Sequence, residues 1–179
     1  MPDSNFIGTR EGAEYKWTSF KDAFAHSEAI SHGVNALNLA PEVEGEGDGK
    51  KWRFMGIQSK NRAEWSFVNI AGMFQGVTTV AFFDTLGEDA MKFIVNQTQL
   101  TTIAISKDLI GGACSLKASD PQGMTKTFEN LIVFEEDLSD DEKKKISDAG
   151  LKLIFLSEVT SKGKEAMAAG GTTTKEPEA

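Results

Sequence analysis

Two histidines, one cysteine and two glycine-rich stretches are the residues of this chain that most readily suggest chemistry. His26 and His32 stand six apart on a segment with helical spacing, which puts them on opposite faces instead of one above the other. No cysteine or carboxylate cluster completes a metal site around them, so they read as ordinary helix residues and no metal is expected. Cys114 has no histidine near it in sequence and reads as a structural thiol, not a nucleophile. "GEGDG", Gly45 to Gly49, carries too much negative charge to cradle phosphate and reads as a flexible turn. "GGTTTK", Gly170 to Lys175, has a superficial phosphate-loop look but lacks a preceding strand and a following helix. No Walker A motif, dinucleotide fingerprint or nucleophile elbow occurs in the chain.

One further stretch has the outline of an active-site elbow. "FFDTLGEDAMKFIVNQTQ", Phe82 to Gln99, leaves an apolar run, turns on Asp84-Thr85-Leu86-Gly87 and continues as a helix. A structural role is favoured here: Asp84 or Thr85 caps the helix, Glu88 and Asp89 suit its positive end, and Ala90, Phe93 and Ile94 seat it. Replacing Asp84 by Ala is accordingly expected to reduce stability.

The elements that must position such residues follow from periodicity. Five β-rich runs begin at Arg53, Thr78, Thr101, Asn130 and Leu151, mostly continuous apolar segments of the kind covered on both faces. Helical spacing precedes the first run (Phe20, Ala23, Phe24, Ile30, Val34, Leu37, with Ser19 and Asp22 as a capping pair). It follows the first run at Phe67, Ile70, Ala71 and Phe74, with Asn61 and Glu64 opening that helix. Ser139 and Glu142 cap "SDDEKKKISDAG", whose acidic first turn suits the helix dipole and which Gly150 can end. Strands alternating with helices predict an α/β fold with an open, mostly parallel sheet flanked by helices. The expected organisation is one domain over 1–162 and a low-complexity linker over 163–179.

Composition narrows the function classes. The 179 residues carry 19 basic and 27 acidic side chains, a net charge of −8. Residues 41–50 and 135–145 together hold ten acidic and four basic residues, six of those eight charges. Clustered acidity in loops and a helix start argues against a nucleic-acid partner, which wants a basic stripe. No signal peptide is evident, the lone cysteine suits a reducing compartment, and the longest apolar run is broken by Asn69 and Gln75, short of a membrane span.

The ordered strings Tyr15-Lys16-Trp17-Thr18-Ser19-Phe20, Asn61-Arg62-Ala63-Glu64-Trp65 and Asp84-Thr85-Leu86-Gly87, the last followed by Ala90, Ile94, Val95 and Asn96, resemble the N-terminal part of the long-chain acyl-CoA synthetases. The likeness runs from about Phe6 to Ser106 and more weakly through "NLIVFEED" to "LKLIFLSEV". Where that family commonly has Pro-Leu-Tyr before Asp-Thr-Leu-Gly, this chain has Ala81-Phe82-Phe83. The resemblance implies an adenylate-forming fold and ATP-dependent activation of a long-chain fatty acid through an acyl-adenylate to acyl-CoA, with Mg2+ and coenzyme A. It implies that the catalytic motifs lie downstream, that this chain alone is inactive with no catalytic or cofactor-binding residue of its own, and that its partner is the remainder of the ligase domain. The family-motif positions Asn61, Arg62, Glu64, Trp65, Asp84, Thr85, Leu86 and Gly87 are then structural. The place expected is intracellular, cytosolic or peripheral to the cytosolic face of membranes. Two other readings stay open: a non-catalytic binding or regulatory module derived from the same family, and, less favoured, a flavodoxin-like nucleotide or flavin binder sharing only the architecture.

Overall fold

The structure, a computed structural model, describes residues 1–45, 47, 49–83 and 85–170. It opens with an antiparallel hairpin, β1 (Asn5–Glu11) and β2 (Glu14–Ser19), turning on Gly12 at φ +64°. Helix α1 (Phe20–Ala36) follows directly, with the Ser19 hydroxyl accepting the Asp22 N–H as the sequence predicts. The short β3 (Glu42–Glu44) pairs antiparallel with the start of β4 (Lys51–Gln58), so part of the polar excursion before the first predicted strand is itself a strand. Then come α2 (Ala63–Phe74), β5 (Thr78–Ala81), α3 (Glu88–Thr98) and β6 (Thr102–Ile105). A 3-10 turn (Lys107–Leu109) leads into α4 (Ile110–Ala118), and the chain continues through β7 (Asn130–Val133), α5 (Asp140–Asp148), β8 (Lys152–Phe155) and α6 (Leu156–Ala168).

The five predicted strands form the parallel part of the sheet, in the order β5-β4-β6-β7-β8. Both faces are covered, which is why the runs are nearly continuous in apolar residues. Met55, Ile57, Ala104, Ile132 and Ile154 meet α1, α2 and α6 on one face. Ile103, Ile105, Leu131 and Val133 meet α3, α4 and α5 on the other. Alternate side chains of β6 and β7 thus enter opposite cores, as a pleated strand requires.

Several local expectations are corrected. Helix α6 runs to Ala168, so residues 163–168, predicted as the start of a linker, are helical, with Gly163 buried; residues 171–179, with most of "GGTTTK", lie outside the described residues. The packing is close: a Cβ on Gly163 would sit 1.6 Å from the Ala29 carbonyl oxygen, and one on Gly33 would sit 1.9 Å from that of Val159. Glycines at both points let the helices α1 and α6 touch through their backbones. On α1, Ala23, Ile30 and Val34 are buried as predicted, but Phe20 and Phe24 are about half exposed (49% and 55%). Helix α3 buries Met91 and Val95, while Ala90 and Phe93 face outward, because Met91, Ile94, Val95 and Thr98 satisfy the same spacing on a neighbouring stripe. On α2, Val68 and Gly72 are buried beside Phe67 and Ala71, and Ile70 and Phe74 are only half-buried. The capping box of α5 forms as read: Ser139 Oγ accepts the Glu142 N–H and the Glu142 carboxylate accepts from Ser139 N. Gly150, at φ +73°, follows its last turn.

Candidate functional site at the carboxyl ends of the strands

In open α/β sheets the loops at the carboxyl ends of the strands gather the groups that meet ligands. Here Arg62, in the loop after β4, dominates that edge. Its Nε donates to Glu64 at 2.7 Å, and one of its terminal nitrogens donates to Glu135, which lies after β7. The other oxygen of Glu135 accepts the N–H of Lys107, after β6, at 2.8 Å. The guanidinium also lies 5.1 Å from the centre of the Phe134 ring, a cation–π distance.

The hydrogen bond to Glu64 is the largest influence on Arg62, and together with Glu135 it raises the guanidinium pKa above its ordinary value against the opposing effect of burial. Burial alone would raise the Glu64 carboxyl; the Arg62 bond and the charges of Arg62 and His26 outweigh it and hold Glu64 below its usual range. His26 is depressed, first by burial and then by Lys164, with Glu64 opposing. Its ring stands edge-on to Phe67, 4.9 Å between centroids. His26, Glu64, Phe134, Ser157, Ser161 and Lys164 face a shallow recess of about 390 Å³ beside the cluster.

The family-motif positions are distributed as follows. Arg62 and Glu64 come together, but Asn61 is exposed and makes no cap: Arg62 occupies the N-cap position of α2 without a side-chain bond to it. The pairing of Glu64 with Arg62 replaces the capping bond that the spacing suggested. Trp65 is half-buried against the core on the α1, α2 and α6 side. At the β5–α3 corner Thr85 is exposed, Leu86 packs on the opposite core, and Gly87 is the N-cap of α3, with no side-chain cap bond. Asp84 lies outside the described residues. On the strand side of the corner Phe82 is 2% exposed, and its N–H donates to the Ile57 carbonyl. Far from this edge, Cys114 is buried in α4, and burial raises its thiol. His32 is also buried, with no partner for Nε2.

The residues that complete the cluster, Glu135, Phe134 and Lys107, went unmarked in the sequence reading. Glu135 is 73 positions from Arg62 and sat in an acidic run with an adequate local explanation. Chemically, the cluster is a saturated ion group: each carboxylate has a cationic or N–H partner, and among the described residues no nucleophile pairs with a base there. It does not fit the phosphates of ATP, because a phosphate would have to displace carboxylates from the arginine they share. Among the described residues no three His, Cys, Asp or Glu side chains gather around a common metal position. Among them, too, no helix is long and apolar enough to cross a membrane.

Comparison with known proteins gives a consistent set of relatives. No protein-family model matches the chain. It is 30% identical over 174 residues to long chain acyl-CoA synthetase 8 of Arabidopsis thaliana, covering 91% of this chain and 22% of that protein. It is 27% identical over 154 residues to fatty acyl-CoA synthetase B of Dictyostelium discoideum, covering 86% of this chain and 20% of that protein. The chain therefore spans about a fifth of the length of these curated relatives. Among solved structures it is similar to the adenylation domain of a carboxylate reductase from Mycobacterium chelonae, with a TM-score of 0.66 and 18% identity over 85% of this chain and 23% of that one. The coronafacic acid ligase of Pectobacterium brasiliense aligns with a TM-score of 0.60 and 16% identity, over 82% and 25%. At these identities the structures establish the fold alone.

Proposed function

This chain is a relative of the long-chain acyl-CoA synthetases with the fold of adenylate-forming enzymes, and we propose that it is the N-terminal portion of a long-chain fatty acid–CoA ligase. The observation that carries the reading is the extent of the match: nearly the whole chain aligns, yet with only about a fifth of each relative. In this reading the chain contributes scaffold. The full enzyme activates a fatty acid with ATP and Mg2+ and passes the acyl group to coenzyme A, using catalytic motifs outside these residues. Those groups supply phosphoryl-transfer charge stabilisation and a thiol acceptor; the residues of this chain shape the sheet against which their site is assembled. The partners are the remainder of the ligase domain and, for the whole enzyme, a long-chain fatty acid.

The surface supports the same reading. Tyr15, Trp17, Phe20 and Phe24 are each about half exposed on the hairpin and α1, and Met73 at the end of α2 is 72% exposed. Apolar exposure of this kind suits a unit that packs against further protein.

The test has two arms. The 179-residue chain alone is expected to form no acyl-CoA from palmitate, ATP and coenzyme A, and to bind a hydrophobic dye through its exposed aromatic side chains while folded. A transcript continuing past the Ala179 codon into a ligase-active product supports the proposal. Acyl-CoA formation by the 179-residue chain, or a terminating transcript together with a sharp, dye-silent melt, overturns it; the latter favours a non-catalytic module.

A further inference from the structure

The strand order reverses at β4: β5 lies on one side of it, while β6, β7 and β8 follow in succession on the other. The crevice at such a reversal, between the carboxyl ends of β4 and β6, is where open α/β sheets receive ligands. In this chain that crevice is bridged. Arg62, four residues after β4, joins Glu135, two residues after β7, so their link spans the end of the intervening strand β6. Glu135 is held in turn by the N–H of Lys107, two residues after β6. Glu64 fixes the guanidinium from its other side at 2.7 Å, and Phe134 lies 5.1 Å away.

Two carboxylates share the one guanidinium, and the charge-assisted bonds fix its geometry. An incoming phosphate or carboxylate would have to break one of those bonds to reach the arginine. We infer that Arg62 and Glu135 form a strap closed across the carboxyl end of β6, locking the loops after β4, β6 and β7 into one unit and shutting this crevice to anionic ligands. The inference stands on the geometry of this chain and does not require the ligase reading.

Amide hydrogen exchange on the 179-residue chain tests it, because two adjacent amides depend on different things. The Ser106 N–H donates to the Gln58 carbonyl inside the sheet at 3.2 Å, whereas the Lys107 N–H, among the described residues, donates to the Glu135 side chain of the strap. Arg62→Met is expected to accelerate exchange at Lys107 roughly tenfold while leaving Ser106 unchanged. Should that variant fail to fold, Glu135→Gln is expected to shift Lys107 in the same direction. In the unsubstituted chain, inorganic pyrophosphate is expected to give no saturable chemical-shift change at Ser59, Ser106 or Lys107. Unchanged Lys107 exchange in a folded variant, or saturable pyrophosphate binding at those amides in the unsubstituted chain, overturns the inference.

Discussion

Two arginines stand at opposite ends of the same strand and are satisfied in opposite ways. Arg53, near the start of β4, donates to the Ala40 carbonyl at 2.7 Å, the Gln75 carbonyl at 3.0 Å and the Asn35 side chain at 2.6 Å. These acceptors lie just beyond or within the last turns of α1 and α2, where helix dipoles present partial negative charge. Arg62, past the other end of β4, is held by the carboxylates of Glu64 and Glu135. Burial lowers the pKa of Arg53, whereas the paired carboxylates raise that of Arg62. The amino edge of the sheet is thus fastened chiefly by neutral acceptors, with the Glu42 carboxylate as a lesser influence on Arg53, and the carboxyl edge by groups that titrate.

Substitutions that probe the contrast are ranked by expected size. Arg53→Met should be the most damaging, at about 3 kcal/mol, because it strips a charged donor from two main-chain carbonyls and the Asn35 amide together. Chemical denaturation at pH 7 and pH 4 should give a similar loss, since Glu42 is the lesser influence on Arg53, and a strongly pH-dependent one would break the comparison. Arg62→Met should cost about 2 kcal/mol at pH 7, less because the cluster is partly open to water. Glu64 has a folded pKa below its ordinary 4.5, so its contribution is present above that value and fades as the pH falls through the lower, folded one. The Arg62→Met deficit should therefore shrink in acid, which a pH series of denaturation midpoints will show.

Smaller effects sharpen the same point with local motifs. Ser139→Ala removes the capping box of α5 and should lower stability by about 1 kcal/mol. Thr85→Ala and Asn61→Ala, at positions that resembled caps and make no capping bond, should stay within about 0.5 kcal/mol in thermal melts. The subtlest expectation concerns His26, whose folded pKa is below 6.5. Below pH 6.5 the unfolded chain takes up this proton more readily than the folded one, so stability should fall as the pH drops through that window. His26→Gln should flatten that part of the profile and, by removing one of the charges that hold Glu64 down, move the Glu64 part slightly toward higher pH.

Much of the architecture was legible because its causes are local. The runs at Arg53, Thr78, Thr101, Asn130 and Leu151 announced the parallel strands through unbroken apolar content, and the Ser139–Glu142 pair announced its helix through a bond four residues wide. The hairpin Asn5–Ser19 escaped notice, although Gly12 between two polar-apolar alternations was an available signal. Helices α4 and α6 were missed for a different reason: Gly111, Gly112 and Gly163 weaken the helical pattern, and tertiary packing overrides that propensity. Residue type suggested caps at Asn61 and Thr85, yet Arg62 and Gly87 hold those places, since cap position depends on where the preceding strand releases the chain.

The sequence by itself determined the class of fold and the likeness to the acyl-CoA synthetases. Only the tertiary structure decided what the carboxyl edge contains. The bond from Arg62 to Glu135 joins residues 73 apart, and nothing in either neighbourhood distinguishes a paired carboxylate from a solvated one. Periodicity reports which face of an element is buried, but the partner of a charged side chain is fixed by strand order, and strand order is set by how the whole sheet buries its two faces.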